Sequence, residues 1–191
     1  MKHTRNRRHK LLSAAILGGA AAATLGAVAG ASAHTESTSS PLPQQPSACD
    51  PADLRMSAAA EDPVENIATI SVTRVNSPDP APDCVIDRTP TVSFGVLDGV
   101  ARAVPPTESA PYALSPGETA HAAVRTAPGM GVEGVEVVQY ISVAAVPDQE
   151  AYAVFAEELD MADPGIYVYD PITTWWQPNR SEAVDQIRQP W

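Results

Sequence analysis

From residue 49 onward, hydrophobic and polar positions alternate in short runs separated by proline and glycine, a spacing that predicts strands throughout. The clearest run is Cys84 to Gly99. Val92, Phe94 and Val96 fall on one face of a strand, and Thr91, Ser93 and Gly95 on the other. Asp98-Gly99 then suits a tight turn with positive φ, and Val100 to Val104 is the expected return strand.

Taken in order, Leu54, Met56 and Ala58 alternate in a first strand, followed by an acidic turn over Ala59 to Glu65 around Asp62-Pro63. Asn66 to Val75 is rich in β-branched residues, with Ile70 and Val72 on one face. Asn76 to Asp83 contains three prolines and reads as a loop. Tyr112 to Gly117 is a strand end entering a Pro-Gly turn, and Thr119 to Thr126 a further strand. Val135 to Val146 is apolar on both faces and predicts one long central strand. Tyr152–Phe155 and Ile166–Tyr169 complete a set of about seven to eight strands. The expected fold is all-β: an antiparallel, immunoglobulin-like β-sandwich over 49–172, with a closed barrel as the alternative. Residues 173–191 read as a terminal extension in which Ser181 caps a short helix ended by Pro190.

The first 33 residues carry a different pattern. Lys2, Arg5, Arg7, Arg8 and Lys10 precede an uncharged Ala/Leu-rich run that ends in Ala31-Ser32-Ala33. That arrangement predicts a signal peptide over 1–33 cleaved after Ala33, the competing reading being a retained membrane anchor. Residues 34–48 are polar and proline-containing and read as a disordered linker. Cleavage changes the charge balance. The whole chain carries −11, but seven arginines, no lysine and all 23 acidic residues remain after Ala33, leaving −16. Such a surface repels phosphate backbones and anionic membranes, so nucleic acid and, once the signal is gone, membrane are excluded as partners. The location this predicts is secreted or cell-envelope.

Export also bears on the two cysteines. Cys49 and Cys84 suit one disulfide closing a loop of about 36 residues, against the alternative of two free thiols. Little remains for catalysis. After Ala33 there are two histidines, His34 and His121, with no Gly-x-Ser-x-Gly elbow and no phosphate loop. His121 stands between alanines and reads as a strand histidine. Glu157, Glu158, Asp160 and Asp163 offer oxygen ligands but at no calcium-loop spacing, and read as a solvated acidic loop. The Asp-Pro pairs at 50, 62, 79, 163 and 170 read as turn formers. No catalytic residue, metal ligand or cofactor is indicated. Trp175, Trp176 and Trp191 are the one concentration of binding-grade side chains, either a surface for a protein or sugar, or a cover folded back over the sheet.

Several of these residues carry a resemblance. Cys49 precedes the first strand; Asn76-Ser77 follows the second; Cys84 and Pro90 stand six apart, with Val92 next. Leu114-Ser115-Pro116-Gly117 and Ala120-His121-Ala122 follow in order. In this the chain resembles the secreted actinobacterial β-sandwich family labelled domain of unknown function four-two-three-two, over roughly Cys49 to Ile172. Arg88 departs from the glycine usual there, a second cysteine pair common in the family is absent, and the tryptophan-bearing tail lies outside its pattern. The resemblance implies fold and export rather than activity. The expected function is a non-enzymatic interaction module whose partner is a protein or envelope polysaccharide. The alternative is a carbohydrate- or small-ligand-binding domain using Trp175, Trp176 and Trp191.

Overall fold

A computed structural model describes residues 46–75, 81–106, 109–129, 133–146, 149–161 and 163–191. The expected signal peptide, most of the expected linker, and Asn76-Ser77 lie outside these residues. The chain is mostly β, with several sheets, one short C-terminal helix and one disulfide. Strands β1 (Leu54–Asp62) and β2 (Ile67–Arg74) form an antiparallel hairpin, its turn held by the Asp62 carboxylate, which accepts the N–H groups of Val64 and Glu65. The sequence places this turn too early: the Ala-rich run extends the first strand to Asp62.

β3 (Cys84–Ile86) pairs with β6 (Tyr112–Leu114), and β4 (Thr91–Phe94) with β9 (Tyr140–Ala144). The expected strand through Val96 stops at Phe94, because Gly95 turns the chain at φ +52°. Val92 and Phe94 are buried as expected, but Val96 is 93% exposed. Gly99 has the positive φ expected of it, +104°. The return strand is β5 (Arg102–Val104), which leaves the hairpin after a single bridge between Ser93 and Val100. Val135 to Val146 is not one strand. It divides at Gln139 into β8 (Glu136–Val138) and β9, which pair with different neighbours.

β7 (Thr119–Arg125) lies beside β2; β10 (Tyr152–Phe155) flanks β9, and β11 (Ile166–Val168) pairs with β8. The largest correction concerns the tail. Ile172–Thr174 is a strand, β12, inserted between β7, antiparallel, and β5, parallel. It completes a five-stranded sheet in the order β1-β2-β7-β12-β5, alongside a three-stranded sheet β10-β9-β4 and the two-stranded pairs β11-β8 and β3-β6. Twelve short strands among the described residues thus replace the seven or eight expected, and one pairing is parallel.

Period-two alternation divides the core. Ile70, Val72, Ala122 and Val124 of the larger sheet share one cluster with Val92, Phe94, Ile141, Val143 and Val154 of the smaller. The opposite face of the larger sheet is covered too. Ile67, Val104, Ala123 and Ile172 pack with Ala183 and Ile187 of helix α1 (Arg180–Ile187). The N-cap is Asn179 rather than Ser181. It is tied to the β1–β2 turn by Arg180 with Glu61, and by Arg188 with Asp62 at 3.1 Å and Glu65 at 3.0 Å.

Cys49 and Cys84 form the disulfide. Val85 also bonds on either side of Ala48, its C=O accepting the Cys49 N–H and its N–H donating to Ser47 C=O, both at 2.9 Å. Ser47 and Ala48, expected in the linker, therefore belong to the fold.

Two outcomes follow for stability. Cys49→Ala/Cys84→Ala removes a constraint on a loop of about 36 residues and is expected to cost about 4 kcal/mol, read from urea unfolding; an unchanged midpoint contradicts this. Trp176, with no exposure at all, packs in the main core. Trp176→Ala is expected to cost about 3–5 kcal/mol by leaving a cavity. Trp176→Phe should cost far less, because the indole N–H it removes has no partner.

Candidate functional site

The three tryptophans do not form one surface. β12 carries the chain directly to Trp175 and Trp176, and alternation sends their side chains opposite ways. Trp176 is enclosed, and its backbone N–H bonds to Arg88 C=O at 3.0 Å. Trp175 is half-buried; its indole N–H donates to Pro105 C=O at 3.1 Å, and the Arg88 guanidinium lies 4.7 Å over its ring. Trp191 is 41% exposed, at the far end of α1, with its N–H on Gln186 C=O. A flat indole platform needs adjacent free ring faces, and only Trp191 retains substantial exposure.

Arg88 is the residue that spacing alone did not connect to anything. It also approaches the Tyr112 ring at 5.8 Å, and Tyr112 O–H donates to Glu118 at 3.1 Å. Burial, then the Glu118 charge, pushes the Tyr112 hydroxyl above its ordinary value. Burial likewise draws Arg88 below its own. The group brings Arg88 and Trp175, remote in sequence, against each other as a cation–π contact.

A second surface was not legible as a site. The strands of the smaller sheet, TVSF, YISVA and YAVF, contain no charged residue. Their inner positions are buried, apart from the partly buried Tyr152, and register aligns Thr91, Ser93, Tyr140, Ser142, Ala144, Ala153 and Phe155 on the outer face. Val100, bridged to Ser93, extends this row at 58% exposure, and Phe155 is 49% exposed. The Tyr140 and Phe155 rings lie 5.9 Å apart at 51° to each other. The signal available in the sequence was the missing charge, which is conspicuous only against the acidic remainder.

The acidic loop performs local work. Glu158 accepts the Phe155 N–H at 3.0 Å and the Tyr152 hydroxyl at 3.4 Å. Asp50 accepts the Ala52 N–H as a turn-forming aspartate does. Among the described residues, no three His, Cys, Asp or Glu side chains converge to hold a metal ion, and no helix is long and apolar enough to cross a membrane.

His121 sits on β7 with its Nδ1 2.9 Å from the Ser71 hydroxyl, and it exchanges backbone bonds with Gln177 at 2.8 and 2.7 Å. Burial, then the Arg180 charge, lowers its pKa from the ordinary 6.5. The unfolded chain therefore binds this proton first as pH falls, so the stability His121 confers is complete above about 6.5 and is lost below it. Thermal melts at pH 7 and pH 5 should show a smaller drop for His121→Asn than for the unaltered chain; equal drops contradict the assignment.

No curated protein and no solved structure matches this chain. A family model does match, over residues 49–176, ending on the buried Trp176 rather than at Ile172 and leaving α1 beyond it. With the disulfide, β12 and Trp176 all inside that span, the chain belongs to the family described as Domain of unknown function (DUF4232).

Proposed function

We propose that this chain is an exported, non-enzymatic interaction module that meets a protein partner through the outer face of β10-β9-β4. The carrying observation is that three adjacent strands present aromatic and small neutral side chains, without one charge, on a chain of net charge −11. Interface cores are depleted in charge and enriched in aromatics, whereas an acidic surface elsewhere limits nonspecific association. The proposed architecture is an immunoglobulin-like sandwich of the two larger sheets, supported by the core cluster they share. Export to the envelope or medium is supported by the basic-then-apolar N-terminal pattern and by the disulfide, a bond that persists in oxidising compartments.

A protein is favoured over polysaccharide on geometry. Sugar rings stack on flat aromatic faces, but Tyr140 and Phe155 are tilted, Trp176 is enclosed and Trp175 lies under Arg88.

Phe155→Glu places a charge at the centre of the aromatic pair while leaving the buried face of β10 intact. In capture experiments from the producing cell's envelope fraction, the variant is expected to lose specifically retained protein by at least tenfold while keeping its melting temperature within a few degrees. Equal retention by both forms overturns the assignment of this face, and retention on purified wall polysaccharide overturns the protein reading.

A further inference from the structure

The sheets end in edges, and the chain covers part of each edge of the smaller sheet. On β10, the 2.9 Å bond from Ala156 N–H to Gln139 C=O sets the ladder phase, so Ala153 and Phe155 point their backbone groups outward. The Phe155 N–H is closed by Glu158. On β4, Ala101 N–H bonds to Val92 C=O at 2.8 Å, covering that edge.

β1 is different. Val75 N–H bonds to Asp53 C=O at 2.8 Å, and the register from that pair directs the N–H and C=O groups of Leu54, Met56, Ala58 and Ala60 away from β2. The Leu54 N–H turns back to Pro51, and the Ala60 C=O accepts from Arg180 at 3.2 Å. Between these two, Met56 and Ala58 have no backbone partner on that side among the described residues. This open stretch borders a groove of about 420 Å³, lined by Leu54, Met56, Gln149, Glu150 and Tyr152. An unpaired edge beside a groove is the arrangement that accepts an added strand.

We propose that the β1 edge binds an extended, cationic peptide segment as an added strand. Met56 and Ala58 offer two N–H donors and two C=O acceptors at a spacing of about 7 Å, which the main chain of an extended peptide reciprocates. Leu54, Met56 and Tyr152 give its inward side chains an apolar seat, and Glu150 gives a basic one a carboxylate at the rim. Charge selects the sign of the partner: a chain at −11 attracts cationic segments. It also argues against a second copy, as does the length of the opening. Two residues of free edge, closed at one end by Arg180, fall short of the roughly 1,200 Å² that a stable pair of proteins buries.

The probe is Ac-Val-Lys-Val-Lys-Val-Lys-Val-NH2, titrated into the full chain at 150 mM salt. The control is the same peptide N-methylated at every residue, which keeps side chains and charge but removes the seven main-chain N–H donors of its residues. Binding is expected to weaken at least tenfold for the control. It should weaken equally for Ala58→Pro, which removes an outward N–H without breaking a β1–β2 bond. Because that variant also alters a strand, amide exchange of the unaltered chain provides a second measurement: Met56 and Ala58 should gain protection on adding the unmodified peptide. Absence of binding, equal binding of the methylated peptide, or protection elsewhere but not at these two amides overturns the proposal.

Discussion

The structure depends on one pairing above all: the three residues of β12 between β7 and β5. Residues that lie some fifty to seventy positions apart in sequence are joined there by main-chain hydrogen bonds. Without that insertion, β5 has no partner in the larger sheet. The pairing also fixes everything that follows it. Trp176 enters the main core two residues past the strand, and Gln177 bridges to His121. The Thr174 hydroxyl accepts the Ala123 N–H at 2.8 Å, so even the end of the strand is tied by a side chain where the ladder stops.

Helix α1 is a consequence of the same event. A sheet covered on both faces needs apolar residues at successive positions, and β7 supplies them in Ala122, Ala123 and Val124. The helix delivers Ala183 and Ile187 to the face that the smaller sheet does not reach. Its two arginines then engage the acidic β1–β2 turn, where Asp62 both forms the turn and receives Arg188. Since exposed pairs of this kind are individually weak, apolar burial holds the helix and the charges set its direction. The matched family span stops before this helix, so the cover over the second face comes from residues outside it.

The two surfaces considered above answer different physical constraints. The outer face of the smaller sheet is defined by what its side chains lack, charge, and the β1 edge by what its backbone lacks, partners. Each stands out because nearby features are closed. Glu158 accepts the Phe155 N–H on the neighbouring edge, and Arg88 occupies the Trp175 ring. The tail tryptophans illustrate the difference between composition and exposure, since the most conspicuous cluster in the sequence divides into one enclosed, one half-buried and one exposed ring.

Local pattern by itself determined the β character of the chain, the burial of Val92, Phe94, Ile70 and Val72, the positive-φ turn at Gly99 and the Cys49–Cys84 bond. These depend on period-two alternation, on glycine's freedom at positive φ, or on there being only two cysteines to join. The same pattern misjudged Val96, the unbroken run through Gln139 and the exclusion of Thr173 onward. Short apolar runs look alike whether they form one strand or two, and a three-residue strand carries too few positions to show a period. Only tertiary structure decided which strands share a sheet, because pairing partners are selected by contacts remote in sequence. The same remote contacts put Arg88 on Trp175, left the β1 edge open, and turned a presumed appendage into an interior strand.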